Sequence, residues 1–155
     1  EALLSGDIKI SSGLGFLSGC IIDTHFVKRG RFGRLSHAIV MNPTCIGIGI
    51  GEDTALIITK GNEAECRGSG MVIIIDGEKI GHTNIAYAEY GYPLNIENLA
   101  VHILSNGTNF LLKERKFVPS REDIQKERNA MSKEQDLSRK TATELRKSTN
   151  KQKSK

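Results

Sequence analysis

Short apolar runs, separated by glycine, proline and charged residues, dominate the first two thirds of the chain. Four such runs occur, at residues 21–22, 45–50, 55–58 and 71–75. They are too short for helices and have the continuous apolar character of buried strands. Between the first two runs, residues 32–40 carry apolar side chains at near-helical spacing, and Pro43 ends this segment. The order strand, helix, strand predicts an α/β domain with a partial parallel sheet and flanking helices.

Two dipeptides that are typical of tight turns lie near the end of this domain. Asp76-Gly77 follows the run at 71–75, and Asn106-Gly107 lies between residues 98–104 and 108–112. The tight two-residue turns of hairpins need positive φ angles, which these residue pairs accept. We therefore expect C-terminal antiparallel strands joined as two hairpins, one around each dipeptide.

The chain changes character after residue 118. From residue 113 to the end there are 14 Lys and Arg against 7 Asp and Glu, whereas the preceding part is mildly acidic. The C-terminal stretch has too few apolar residues to bury a core of its own. The sequence therefore predicts two domains, an α/β domain at 1–118 and a basic, disordered or loosely helical tail at 119–155.

Composition narrows the class of protein. No apolar run approaches the roughly 20 residues of a membrane span, so we expect no membrane partner. We expect no nucleic-acid partner either, because the basic tail has no aromatic residue after Phe117 to stack on bases. The three cysteines have no metal-binding spacing, which predicts reduced thiols in a cytoplasmic protein. The start at Glu1 leaves open whether an export signal precedes it.

Candidate chemistry is concentrated around the first apolar run. Asp23 and His25 follow it at once, and a cluster of arginines comes next, at Arg29, Arg31 and Arg34. A histidine beside a carboxylate is a suitable general base, and arginines bind carboxylates through paired hydrogen bonds. A solvated basic segment at a helix start is the alternative interpretation.

A second carboxylate follows the next strand. Glu52 comes directly after residues 45–50, so Glu52 and His25 are both expected at strand ends, where hydrolytic side chains of α/β proteins lie. This arrangement suits a hydrolase in which a carboxylate orients a histidine and the histidine activates a serine. Residue chemistry leaves Asp53 open as an alternative acid.

Several of these segments together resemble the cyanophycinase family, serine peptidases of the dipeptidase E class. The resemblance covers roughly residues 1–118, in the stretches Gly13-Leu14-Gly15-Phe16-Leu17, Ile21-Ile22-Asp23-Thr24-His25-Phe26, the three arginines, and Gly49-Ile50-Gly51-Glu52-Asp53-Thr54-Ala55. It implies that this chain is the C-terminal part of such an enzyme.

The resemblance also implies roles for individual residues. His25 corresponds to the family's base, Glu52 to its acid, and Glu1 is a second-ranked alternative acid. The substrate-binding residues implied are Asp23, Thr24, Arg29, Arg31 and Arg34. Thr24 departs from the family, which has glutamine at this position, so one polar substrate contact differs.

The implied substrate is cyanophycin, a poly-aspartate with arginine on each side-chain carboxyl, and the implied products are β-aspartyl-arginine dipeptides. The family's nucleophilic serine lies in an upstream Gly-x-Ser-x-Gly elbow, which this sequence lacks. The expected partner is therefore an N-terminal portion, with a second copy of the chain left open. An isoaspartyl dipeptidase and a non-catalytic binder of anions are the alternative functions. We expect no cofactor and no metal, since His37, His82 and His102 are too scattered for a metal site.

Overall fold

In the computed structural model, Gly6 and residues 8–152 are described, with side chains described as far as residue 141 except at 136 and 140. Glu1, the alternative acid, lies outside the described residues. The chain divides into two compact units, residues 1–118 and 119–155. No helix among the described residues is both long and apolar enough to span a membrane.

The first unit contains one helix and two four-stranded sheets, in agreement with the predicted α/β class. Its elements in chain order are β1 (Cys20–Thr24), α1 (Phe32–Met41), β2 (Ile46–Ile50), β3 (Thr54–Thr59), β4 (Glu63–Gly68), β5 (Val72–Asp76), β6 (Ala100–Leu104), β7 (Asn109–Leu111) and β8 (Lys116–Val118). The first sheet has the order β1-β2-β5-β6 and the second the order β3-β4-β7-β8.

The first sheet is mixed, and its register decides which side chains share a face. β1 and β2 run parallel, with Asp23 opposite Gly49, while β5 runs antiparallel to its two neighbours, β2 and β6. Successive side chains of a strand point to opposite faces. One face of the sheet packs against the second sheet around Ile48, Ile74 and Phe110.

The other face of the first sheet is covered by α1 and by Phe26. Glycines in β2 make this close approach possible. A Cβ atom at Gly47 would lie 2.9 Å from the side chain of Ile39, and one at Gly49 would lie 2.5 Å from the ring of Phe26. Gly47, Gly49 and Gly51 therefore serve packing rather than the phosphate contacts of a dinucleotide-binding loop.

Both predicted hairpins are wrong. β5 ends at Asp76, but β6 begins only at Ala100, so no tight turn joins them. The carboxylate of Asp76 instead accepts the N–H of Glu78 and pairs with the side chain of Arg115. Asn106-Gly107 does lie in a turn, but this turn passes from β6 in the first sheet to β7 in the second, so the two strands do not pair.

The second unit is helical where it is described. Its helix, α2 (Arg121–Gln152), begins with a reciprocal cap in which the Ser120 hydroxyl accepts the N–H of Asp123 and donates to its carboxylate. Lys126 pairs with Glu122 one turn earlier at 2.6 Å. Of the two predicted states of the tail, disordered or helical, the structure describes the helix.

Candidate functional site

The parallel pairing of β1 and β2 brings their carboxyl ends to the same edge of the first sheet. His25 follows β1 and Glu52 follows β2. The Nδ1 atom of His25 lies 3.6 Å from Oε1 of Glu52, whose side chain is 21% exposed against 61% for the histidine. Among the described residues, Asp53 makes no such contact with His25, so geometry favours Glu52 as the partner.

The 3.6 Å between His25 Nδ1 and Glu52 Oε1 is within the range of an ion pair but is longer than a hydrogen bond. Oε1 of Glu52 is buried and has no hydrogen-bond partner within the described part of the chain. A buried carboxylate oxygen without a partner is costly, and this oxygen is directed at the imidazole. Catalytic hydrogen bonds are often long in a protein without substrate and shorten when the reacting complex forms.

The backbone holds the histidine in an uncommon conformation. His25 has a φ of +53°, in the left-handed region that residues with a Cβ atom rarely occupy. The next residue anchors it, because Phe26 donates its N–H to Ile50 O at 3.1 Å and buries its ring over Gly49. Strained positions of this kind are concentrated at functional sites.

The loop that carries Glu52 is braced from the β4–β5 connection. Thr54 donates its hydroxyl to the carbonyl of Glu52 at 2.8 Å. A Cβ atom at Gly70 would lie 2.5 Å from that same carbonyl oxygen, and one at Gly68 would lie even closer to the carbonyl oxygen of Asp53. Gly68 and Gly70 therefore permit the close approach of two backbone segments behind Glu52. The sequence analysis predicted neither this close approach behind Glu52 nor the anchoring of His25 by Phe26. The available signal for the close approach was Gly68-Ser69-Gly70, two glycines that flank one serine.

Asp23 holds two of the three arginines. Arg31 Nη1 donates to Asp23 Oδ1 at 2.7 Å and to Thr24 O at 2.8 Å. Arg34 forms a two-point contact, Nε to Oδ2 at 3.0 Å and Nη2 to Oδ1 at 2.6 Å. One nearly buried carboxylate thus faces two guanidinium groups, so one positive charge in this cluster is not balanced by Asp23.

The remaining sequence candidates have simpler environments. Arg29 is exposed, and its N–H donates to the carbonyl of His25 at 3.3 Å. Thr24 contributes its carbonyl to Arg31, and its exposed hydroxyl has no partner among the described groups. The partly buried ring of His102 lies 5.1 Å from the ring of Phe110, centroid to centroid. The described residues contain no group of three or more potential ligands placed to hold a metal.

Comparison with known proteins identifies relatives of this chain. No protein-family model matches the chain. Cyanophycinases from Trichormus variabilis and from a Nostoc species are each 37% identical over 113 residues, which are 73% of this chain and 38% of those proteins. The cyanophycinase of Synechococcus elongatus is 37% identical over 106 residues, 68% of this chain and 33% of that protein.

The chain is related to the cyanophycinases. It spans about a third of the length of the curated relatives that it matches, 38% in one case and 33% in another. The resemblance expected from the motifs is thus confirmed as a relationship to the C-terminal part of cyanophycinase. The name of these relatives, cyanophycinase, is that of a hydrolase.

Proposed function

We propose that this chain forms the C-terminal part of a cyanophycinase-like serine exopeptidase, in which His25 is the general base and Glu52 orients it. The observation that carries the proposal is the 3.6 Å approach of His25 Nδ1 to the buried Oε1 of Glu52, which has no hydrogen-bond partner among the described residues. A carboxylate at Nδ1 keeps the proton on that nitrogen and leaves Nε2 free to accept one. The relationship to cyanophycinases supports the same assignment.

The reaction needs a nucleophile that these 155 residues do not supply in the expected form. The sequence contains no Gly-x-Ser-x-Gly elbow, so we propose that the serine comes from polypeptide outside them. His25 Nε2 would remove the hydroxyl proton as serine Oγ bonds to the substrate carbonyl carbon. The same proton would then pass to the leaving amine, and water would release the acyl group by the reverse sequence.

The arginine cluster suits a substrate rich in carboxylates. Asp23 neutralises only one of the two guanidinium groups that it holds, and Arg29 adds a third positive charge nearby. Both oxygens of Asp23 are occupied by arginine, so we assign Asp23 to positioning Arg31 and Arg34 rather than to binding a substrate guanidinium. We propose that Thr24 makes a polar contact with the substrate through a side chain that is shorter than the glutamine of the family.

Cyanophycin is the substrate we propose, with β-aspartyl-arginine dipeptides as products. Its aspartate side-chain carboxyls are joined to arginine as amides, so the carboxylates that Arg29, Arg31 and Arg34 would bind are the free α-carboxylates of the attached arginine residues. An isoaspartyl dipeptidase would use the same base and acid but would not need all three arginines. A binder of anions without activity would need the arginines and not the pair of His25 and Glu52.

A cytoplasmic location is also part of the proposal. The cysteines Cys20, Cys45 and Cys66 are free, and burial raises the pKa of the thiols of Cys20 and Cys66. Groups in that state stay protonated near neutral pH and suit a reducing compartment.

The test uses the chain with and without the proposed nucleophile-bearing portion. Residues 1–155 alone should release no β-aspartyl-arginine from cyanophycin. When the chain is coexpressed with the segment of Trichormus variabilis cyanophycinase that precedes its matched region, hereafter the reconstituted enzyme, release should appear. Hydrolysis of arginine-free isoaspartyl dipeptides at an equal rate would favour the dipeptidase, and release by residues 1–155 alone would contradict the proposed origin of the nucleophile.

A further inference from the structure

The connection between β5 and β6 folds back on itself. Thr83 pairs with Ile96 in an antiparallel bridge, and Glu97 donates its N–H to the carbonyl of His82 at 2.9 Å. These contacts close the base of residues 84–95, hereafter the tyrosine loop. A loop whose two ends lie side by side can keep one shape while its tip faces solvent.

Asn84 fixes the shape of the tyrosine loop. Its side-chain amide donates to the carbonyl of Pro93 at 3.1 Å, and its side-chain oxygen accepts the N–H of Asn95 at 2.9 Å. Its own carbonyl accepts the N–H of Ala88 at 2.9 Å, which closes the turn that carries Tyr87. One residue thus holds both arms of the loop, so the tip is presented in a defined conformation.

All three tyrosines of the chain lie in this loop and face solvent. The exposed fraction is 70% for Tyr87, 81% for Tyr90 and 61% for Tyr92. The N–H of Tyr92 donates to the carbonyl of Glu89 at 3.0 Å, so a second turn carries Tyr90. Exposed tyrosines offer large contact faces at a small cost in conformational entropy. Several such rings gathered on one loop mark an interaction surface.

The charges along this part of the chain are the reverse of those around His25. Residues 80–112 contain Glu89 and Glu97 and no lysine or arginine. Glu89 is exposed and lies between two of the tyrosines in the sequence. Aromatic faces attract guanidinium groups, and a neighbouring carboxylate binds the same groups through charge-assisted hydrogen bonds. The tyrosine loop therefore suits a ligand that carries free guanidinium groups.

The tyrosine loop belongs to a connection at the far end of the first sheet from His25. β5 ends at Asp76, which pairs with Ile46 at the start of β2, whereas Glu52 follows the end of β2. A strand of five residues such as β2 spans about 16 Å. An extended polypeptide covers that length with about five of its own residues. A polymeric ligand of modest length is therefore long enough to reach from one end of the sheet to the other.

We propose that the tyrosine loop is a second binding site for cyanophycin, in which Tyr87, Tyr90 and Tyr92 stack against the guanidinium groups of its arginines and Glu89 pairs with them. The identity of the ligand rests on the proposed function. Each arginine of this polymer carries both a guanidinium group and a carboxylate. The arginine cluster near His25 binds the carboxylates, and the tyrosine loop binds guanidinium groups away from the reacting bond. A second point of attachment keeps the polymer close to the enzyme between successive cleavages.

The test measures binding and not hydrolysis. Residues 1–155 are titrated with an amidated oligoarginine peptide, which has no carboxylate for the arginine cluster to bind, and are sedimented with cyanophycin granules. A triple variant with Tyr87→Leu, Tyr90→Leu and Tyr92→Leu keeps the apolar bulk and removes the aromatic faces. Its affinity for the peptide should fall at least about tenfold, and less of it should sediment with the granules. Phenylalanine at the same three positions keeps the rings and should stay within about threefold of the wild-type chain.

Controls separate binding from folding. Substitutions at exposed positions have little effect on stability, so both triple variants should melt as the wild-type chain does. If the leucine variant melts lower, Tyr90→Leu alone, at the most exposed of the three positions, should still weaken peptide binding about threefold. Glu89→Gln keeps all three rings and should weaken it by a similar factor, with a smaller difference at high salt.

Three results would overturn the proposal. They are wild-type affinity in the leucine variant, equal losses in the leucine and phenylalanine variants, and failure of the leucine variant to retain the Trichormus variabilis segment of the reconstituted enzyme. The last result would mean that the segment covers the tyrosine loop. Binding that depends on the tyrosines in a reconstituted enzyme without hydrolysis would contradict the proposed function and support the second site. Hydrolysis with binding that ignores the tyrosines would do the opposite.

Discussion

Two aspartate–arginine clusters lie at opposite ends of the first sheet and use the same groups differently. At one end Asp23 holds Arg31 and Arg34, and at the other Asp76 holds Arg115. Both carboxylates are nearly buried. Arg31 and Arg115 are similarly enclosed, with side chains 20% and 17% exposed, whereas the side chain of Arg34 is 51% exposed.

The partners of each arginine explain this difference. Arg115 pairs with Asp76 and Glu78 and donates to the carbonyl of Thr44. It therefore connects the turn between β7 and β8 to the first sheet. At Asp23, one carboxylate pairs with two guanidinium groups, so one positive charge there is not balanced by Asp23. Arg115, with two carboxylates beside it, thus stabilises the fold at one end of the sheet, whereas Arg31 and Arg34 share a single carboxylate at the other end.

Of the substitutions considered, Glu52→Gln should have the largest effect. The effect should be on turnover, at the end of the sheet that carries His25. The amide cannot hold His25 as a carboxylate does, so kcat of the reconstituted enzyme should fall about 10²- to 10⁴-fold. Asp53→Asn is the matched control and should stay near wild type, because Asp53 does not contact His25 among the described residues. Equal losses in both variants, measured by dipeptide release, would remove Glu52 from its proposed role.

Arg115→Met should act on stability. It leaves Asp76 nearly buried without its ion-pair partner, which costs about 3 kcal/mol of unfolding free energy at the lower end for such pairs. For a chain of this size the melting temperature should fall by roughly 6–12 °C. Arg67→Met removes the exposed pair with Glu65 and should cost below about 1 kcal/mol. Similar thermal melts for the two variants would show that Arg115 does not fasten the sheets.

Arg34→Lys should reverse that pattern. Lysine keeps the charge but loses the planar fork, so a charge-assisted hydrogen bond worth roughly 1.5–3 kcal/mol is lost from the substrate complex. The value of kcat/KM should fall on the order of tenfold to a hundredfold, with little change in melting temperature. Arg67→Lys, with a side chain of similar exposure on the second sheet, is the kinetic control. A large drop in melting temperature would instead make Arg34 a structural residue.

Local pattern predicted the elements around the site because they are consecutive in the sequence. The apolar runs became β1, β2, β3 and β5, and the helical spacing at 32–40 became α1. The ends of two parallel strands meet at one edge, so the sequence also brought His25 and Glu52 to the same region. Their roles, and those of the arginines, stay predictions.

Long-range partners could not be predicted from local pattern. Asp76-Gly77 has the composition of a hairpin turn, but Asp76 pairs with Arg115, which lies 39 residues further on. β4 was not predicted, because residues 63–67 alternate charged and small side chains, a pattern typical of an exposed segment. In the structure, Ala64 and Cys66 are buried in the core. The two arginines held by Asp23 likewise depend on tertiary contact and not on spacing alone.

The most direct measurement is dipeptide release from cyanophycin by the reconstituted enzyme carrying His25→Ala, with its association measured in parallel. If His25 is the base, the complex should assemble as in wild type while kcat falls at least about 10²-fold. Wild-type turnover by an assembled His25→Ala complex would contradict a base at the shared end of β1 and β2.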